Sequence, residues 1–314
     1  MIGWIIAATL GGIALLAFLA VLYCFFKVFY SPKRIPCAPD EYPIPDGEIY
    51  EAHREQLTEW TKQIRAADYK RFSIKSFDGL TLRGKYYEYA PGAPLEILFH
   101  GYRGNAERDL CGGVARCFAL GRSALIVDQR ASGESDGHVI SFGINERRDC
   151  LAWVKFAVEH FGDDVKIIIT GVSMGAATVM MAAAEELPSN VVCALADCGY
   201  TSAEEIIKKI VKEMKLPPKL VYPFIKLSAR IFGHFDLDET SPIEAVANAK
   251  IPVIFIHGEA DDFVPCEMSR RLYDMCATQK TLVTIPGAGH GLAFPVDQEK
   301  YVNALKEFAI YCNI

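Results

Sequence analysis

The chain has 314 residues, 51% of them hydrophobic, enough for one large domain with a sizeable core and a further segment besides. A net charge of −6 and a pI near 5.7 argue against a nucleic-acid-binding surface. The ten cysteines contain no C-x-x-C pair and no Cys/His cluster at metal-ligand spacing, so they read as small buried hydrophobes in a reducing compartment.

Ile2 through Phe26 runs 25 residues without a charge. A helix of that length is about 37 Å long, enough to cross a hydrocarbon core of about 30 Å. A signal peptide is the competing reading, but it usually has a positive n-region and a small-x-small cleavage site, and no Lys or Arg precedes Lys27 here. Residues 1–30 are therefore read as an uncleaved, single-pass transmembrane anchor. The charges Lys27, Lys33 and Arg34 all follow the span, which by the positive-inside rule puts the rest of the chain in the cytoplasm. Residues 31–69 hold a Pro-rich connector (Pro32, Pro36, Pro39, Pro43, Pro45) and then a polar helix. That helix is read from Glu48 to Ala67, with Ile49, Leu57, Trp60 and Ile64 as its buried stripe, and is expected at the domain's edge near the membrane.

From residue 70 the pattern changes. Arg71 to Phe77 alternates with period two, Asp78-Gly79 turns, and Leu80 to Tyr87 returns, a β-hairpin signature. Strands are then expected at Leu95–Phe99, Ser123–Val127, Val165–Thr170, Val191–Ala196, Pro252–Ile256 and Thr281–Ile285. Helices are expected to begin near Asn105, Gly143, Met174, Ser202 and Cys266, with a last one over Asp297–Tyr311. Such alternation implies a mostly parallel sheet covered on both faces. In the middle stands Gly171-Val172-Ser173-Met174-Gly175, between a β-branched run and an Ala/Met-rich segment. Strand, tight turn and helix around G-x-S-x-G is the setting of a nucleophile elbow, which presents a serine hydroxyl at a sheet's C-terminal edge.

Entry hairpin, β/α alternation and elbow together resemble the α/β-hydrolase superfamily over about residues 70–314, with an eight-stranded, mostly parallel sheet flanked by helices. The pattern is most similar to bacterial serine-aminopeptidase-like and esterase-like members. A serine hydroxyl needs an adjacent base oriented by a carboxylate, and in this fold the order is Ser, acid, His. The resemblance places Ser173 as nucleophile, Asp261 as acid within His257-Gly258-Glu259-Ala260-Asp261-Asp262-Phe263-Val264-Pro265, and His290 as base within Gly289-His290-Gly291. Asp197, after the preceding strand, is the alternative acid, since some relatives carry the carboxylate there. A tetrahedral oxyanion needs two N–H donors. One is expected from Met174, the residue after the nucleophile. By resemblance to the family's His-Gly-x loop, Tyr102 supplies the other. His100 and His257 read as loop-ordering hydrogen-bonders. The stretch from Asp128 to Gly137 resembles a family loop in which Arg130 braces a carboxylate, with Ala131 where Gly is usual.

Between Tyr200 and Ile251 an excursion of about fifty residues reads as a short helical lid, in the place where this fold commonly inserts one. Ile206, Ile207, Ile210, Val211 and Met214 form one stripe of it, opposite Lys208, Lys209, Lys212 and Lys215; Leu220, Phe224, Leu227 and Ile231 form another. Two helices packed over the domain are one reading of it. Contact with lipid or with an apolar acyl chain is the other. The function expected is hydrolysis of a carboxylic ester, thioester or lipid ester, with a small or lipid-like acyl substrate and no metal, cofactor or nucleic acid. A peptidase acting on amides, and a non-catalytic membrane-anchored scaffold, are the alternatives.

Overall fold

The computed structural model describes residues 1–32 and 38–312; Lys33, Arg34 and Pro36, on which part of the charge and connector readings rest, lie outside the described residues. The chain opens with α1 (Ile2–Val28), 27 residues, long and apolar enough to cross a membrane. The helix expected from Glu48 to Ala67 is in fact two, α2 (Glu48–Glu51) and α3 (Arg54–Ala66), separated at His53. Leu57, Trp60 and Ile64 of α3 are buried, whereas Ile49 on α2 stays 43% exposed.

The hairpin follows as β1 (Lys70–Lys75) and β2 (Thr81–Tyr87), then β3 (Leu95–Phe99), α4 (Ala106–Ala119), β4 (Ser123–Asp128), α5 (Glu146–Phe161), β5 (Ile167–Val172), α6 (Met174–Ala182) and β6 (Val191–Asp197). The excursion is α7 (Ala203–Glu213), α8 (Pro218–Ser228), a π-turn (Ala229–Gly233) and α9 (Pro242–Val246). The chain returns through β7 (Val253–Gly258), α10 (Cys266–Met275), β8 (Lys280–Ile285), α11 (Ala293–Val296) and α12 (Gln298–Tyr311). The sheet order is β1-β2-β4-β3-β5-β6-β7-β8. β1 and β2, and β2 and β4, pair antiparallel, and every other pair is parallel. This is the α/β-hydrolase fold, an eight-stranded and mostly parallel sheet flanked by helices.

Local chemistry explains where the helices begin. Asn105, Ser202 and Asp297 each precede a helix, and their side chains accept backbone N–H groups from Arg108 (2.9 Å), Glu205 (3.1 Å) and Lys300 (2.9 Å). The sheet is buried on both faces, as parallel strands with covering helices must be. One apolar layer gathers Trp153, Val154 and Ala157 of α5 with β3, β5 and α6; the other gathers Leu110 and Val114 of α4 with Tyr301, Leu305 and Phe308 of α12. A third cluster joins the end of α1 (Cys24, Phe25) and Phe29 to Met174, Ala177 and the excursion.

Two charged groups lie inside this frame. Glu96, the second residue of β3, is fully buried; it is ion-paired with Arg116 and with Arg122 (3.2 Å), and Thr170 Oγ1 donates to it at 2.8 Å. Arg130 is also buried, and grips Asp149 of α5 bidentately, Nε to Oδ2 at 2.7 Å and Nη2 to Oδ1 at 2.8 Å. The same guanidinium reaches Asp78 Oδ2 at 2.9 Å, tying the β1–β2 turn to α5.

The excursion decides between the two readings of the stripe Leu220, Phe224, Leu227 and Ile231 in part: packing of that stripe on the domain is not what α8 does. Instead α8 buries Tyr222, Ile225 and Ser228, and Leu220, Leu227 and Ile231 face outward.

Candidate active site

Ser173 forms the tight turn between β5 and α6. Ser173 sits at φ +57°, ψ −114°, a strained backbone that persists only where the surroundings hold it. Its N–H donates to the Asp197 carbonyl at 2.8 Å, pinning the turn to β6. A Cβ at Gly171 would stand 2.0 Å from the Gly175 backbone, and one at Gly175 would stand 2.0 Å from the Phe99 carbonyl oxygen. Neither position admits a side chain.

Two later loops bring partners to Ser173. His290, after β8, has Nε2 2.9 Å from Ser173 Oγ and Nδ1 2.7 Å from Asp261 Oδ2. Asp261, after β7, accepts with Oδ1 from the N–H groups of Phe263 (3.0 Å) and Val264 (2.8 Å). His257 stands on its other side, with Nε2 2.8 Å from the Val264 carbonyl and 3.2 Å from Asp261 Oδ2. Because the Ser269 hydroxyl lies 2.6 Å from His257 Nδ1, we assign the proton to Nε2, shared between the carbonyl and the carboxylate. Burial raises the Asp261 pKa, but hydrogen bonds from His257 and His290 outweigh it and hold the carboxyl down at about 2. Phe263 lays its ring edge-on to His290, centroids 5.0 Å apart.

The loop after β3 lies against the elbow: a Cβ on Gly101 would be 3.6 Å from Ser173 Cβ. Tyr102 follows it, with its ring 5.2 Å from Phe142 and its hydroxyl donating to the Val28 carbonyl at 2.7 Å. The phenol thus engages the end of α1. Met174 opens α6 directly after Ser173. The remaining polar residues order loops. His100 Nδ1 lies 2.8 Å from the Gly101 carbonyl, its Nε2 accepts the Gln129 N–H at 3.0 Å, and burial lowers its pKa, which keeps the ring neutral. Asp128 accepts from Ala106 N–H and Glu134 N–H, each at 2.9 Å. Ala131 carries φ +59°, the conformation that Gly adopts without strain.

The Asp197 carboxylate bonds Tyr301, and His290 takes Asp261 instead: Asp197 Oδ2 accepts the Tyr301 hydroxyl at 2.8 Å, and burial raises its pKa. Cys198, Asp261 and His290 present ligand-type atoms within 4.8 Å of one another, a constellation that could hold a metal ion. Their donor set fits a metal poorly, however. Both nitrogens of His290 and both oxygens of Asp261 are engaged within the protein, and burial pushes the Cys198 thiol pKa well up, against the thiolate that a metal requires.

Two contacts at the site have no motif to announce them. The Tyr50 hydroxyl, on α2, donates to the His290 carbonyl at 2.9 Å across 240 positions of sequence. Ile49 beside it closes on Gly289, where a Cβ would be 3.1 Å from Ile49 Cδ1. The segment expected at the domain's edge therefore reaches over the histidine loop.

The sequence model of the prolyl oligopeptidase family (peptidase S9) matches residues 141–313, more than half of the chain, and the stretch contains Ser173, Asp261 and His290. The chain belongs to the prolyl oligopeptidase family. Among relatives, the uncharacterised protein YqkD of Bacillus subtilis is 28% identical over 193 residues, 60% of this chain; the chain spans 62% of that protein's length. Protein bem46 of Schizosaccharomyces pombe is 24% identical over 220 residues, covering 68% of this chain and 67% of its own. Esterase Pf2001 of Pyrococcus furiosus superposes with a TM-score of 0.64 at 22% identity, over 86% of this chain and 96% of its own. That last likeness speaks for the fold alone. For this member of the prolyl oligopeptidase family it shows the same α/β-hydrolase frame around Ser173.

Proposed function

We propose that the chain is a serine hydrolase that cleaves a carboxylic ester, thioester or lipid ester through an acyl-enzyme. Residues 1–30 would act as a single-pass membrane anchor, 31–69 as connector, and 70–314 as a cytoplasmic catalytic domain lidded by about residues 200–250. The observation that carries the chemistry is the unbroken hydrogen-bond chain from Ser173 Oγ through His290 to Asp261 at a strained elbow. His290 Nε2 takes the Ser173 proton as Oγ attacks the acyl carbon, and Asp261 keeps the imidazole proton on Nδ1 and balances the imidazolium that forms. The oxyanion is met by two backbone N–H groups. One is that of Met174, which as the first residue of α6 has no intrahelical carbonyl to meet; the other is that of Tyr102. His290 returns the proton to the departing alkoxide or thiolate. Water, deprotonated by the same imidazole, then attacks the acyl-enzyme and frees the acid and Ser173.

Amide cleavage is the second reading, favoured by the family match, because the same groups in the same order serve a peptidase. Labelling by a fluorophosphonate probe tests both. The wild type should label stoichiometrically and Ser173→Ala not at all, and ester and aminoacyl panels then choose between the readings. A folded wild type that fails to label would make the chain a scaffold with a hydrolase fold.

A further inference from the structure

The outward stripe on α8 is large and apolar: Leu220 is 64% exposed, Leu227 46% and Ile231 48%, with Pro223 exposed between them. Spacings of three or four residues put all four on one side of the helix and its π-turn. Polar solvent does not call for such a face, and its position says what does cover it.

α8 and the π-turn pack along the last turns of α1. The ring of Phe232 meets Phe18 at 6.0 Å and Phe25 at 5.6 Å. From Ile2 to Leu19 every residue of α1 is exposed, Phe18 meeting the domain only with the side of its ring that faces Phe232, and burial against the domain begins at Val21. Close to twenty residues of uncovered apolar helix correspond to about 30 Å, the thickness of a hydrocarbon core. The domain therefore meets α1 where α1 would leave the acyl region, and Phe232 stands at that boundary. Charges around the stripe fit the same place. Lys226 and Arg230, on the helix and turn themselves, are neutralised by Asp238 and Asp236. Lys212, Lys215 and Lys219, at the α7–α8 corner beside exposed Met214 and Leu216, are exposed and form no ion pair among the described residues.

We propose that α8 and its π-turn are a second membrane contact. They lie in the interface of the leaflet from which α1 emerges, with Leu220, Leu227 and Ile231 in the acyl region and Lys212, Lys215 and Lys219 against anionic headgroups. The inference rests on the reading of α1 as a membrane anchor. Its consequence for the site is direct. The Tyr102 hydroxyl holds the Val28 carbonyl, and Arg103 donates to the carbonyls of Lys27 (2.9 Å) and Tyr30 (3.1 Å), so the loop over Ser173 hangs from the same surface. The substrate class this arrangement suits is an acyl ester resident in that leaflet.

The test uses the full chain in nanodiscs of phosphatidylcholine and phosphatidylglycerol, with Cys37 and Cys266 replaced by serine. A nitrobenzoxadiazole label is placed in turn on L227C, I231C, L10C in α1 and E159C on α5. Dibrominated lipids should quench positions 227 and 231 as they quench position 10, about twofold or more, while iodide quenches only position 159. Lipid quenching at position 10 together with iodide quenching at 227 and 231 would overturn this contact and leave the anchor standing. Labels at 227 and 231 reached by neither quencher would also overturn it, since a second protein surface would then be the cover. No lipid quenching at position 10 would remove the anchor reading itself. In discs without phosphatidylglycerol, iodide access at 227 should rise; unchanged access would eliminate the role given to the three lysines.

Discussion

Asp261 is held by more groups than the histidine it serves. Two backbone N–H groups fix one oxygen, and His257 and His290 share the other. The side chain is buried, so its charge persists only because each lone pair is met. Asp261→Asn keeps the shape but lets the amide present N–H where His290 Nδ1–H needs an acceptor. Turnover should fall by roughly 10³–10⁴, read in kcat with the fold checked by circular dichroism. A stability effect accompanies it. The folded pKa of about 2 lies below the usual 3.8, so the carboxylate stabilises the fold above pH 3.8 and loses that contribution as pH falls toward 2. Wild type and variant should differ by about 2 kcal/mol near neutrality and converge at about pH 2, read from urea midpoints. A difference that stays constant through that window would mean that the carboxyl is not depressed. At this scale much was legible from sequence. Gly171-x-Ser173-x-Gly175, the strand-ending His257-Gly258 and Gly289-His290 are local signals, and each names a residue that the fold brings to one place. The support His257 gives to Asp261 was not legible, since it depends on Ser269 one helical turn into α10 fixing the imidazole tautomer.

At the scale of elements, periodicity told helix from strand but not what each face meets. α3 buries Leu57, Trp60 and Ile64 as its spacing requires, yet the helix breaks before it and α2 swings over the histidine loop. Glu96 interrupts an apolar strand, and its compensation by Arg116 and Arg122 comes from α4 and the turn after it, beyond what strand patterning can register. The α8 stripe shows the same limit: its apolar spacing marked a face to be removed from water and left open whether the domain or lipid would cover it, and the fold turns Leu220, Leu227 and Ile231 outward. Tyr50 gives α2 a measurable task. Burial keeps its phenol protonated by raising the pKa, so it remains a donor to the His290 carbonyl at every working pH. Tyr50→Phe deletes that bond while retaining the ring, at a cost of about 1 kcal/mol in stability. As a positioning residue it should lower kcat by about three- to tenfold with KM unchanged, because the imidazole loses its hold without any loss of substrate contact. Equal kcat in the variant would reduce α2 to packing alone.

For the molecule as a whole, the end of α1 is part of the domain's core. Phe29 is fully buried against Phe142 (5.9 Å) and Phe235 (5.2 Å). Tyr30 bridges Val139 in strand fashion and stacks on His138, and Ser31 N–H donates to the His138 carbonyl at 2.9 Å. Phe142 in turn packs on Tyr102 and on Tyr200, whose hydroxyl donates to the Phe142 carbonyl at 3.0 Å. A path of contacts thus runs from the last turn of α1 to the loop over Ser173. Two truncations separate the helix from its end. Removing residues 2–17 deletes exposed surface and keeps the Phe18–Phe232 contact, so the protein in detergent should keep its Tm and its rate of labelling by a fluorophosphonate. Removing residues 2–31 empties the Phe29 site, worth about 3–5 kcal/mol for a buried phenylalanine, and releases Tyr102 and Arg103. Its Tm should fall on the order of 10 °C. Labelling should slow at least about tenfold even at temperatures where the fold persists, because the loop proposed to donate to the oxyanion has lost its support. Equal labelling rates for the two truncations would show that the end of α1 does not act on the site; unequal rates would make that segment a working part of it.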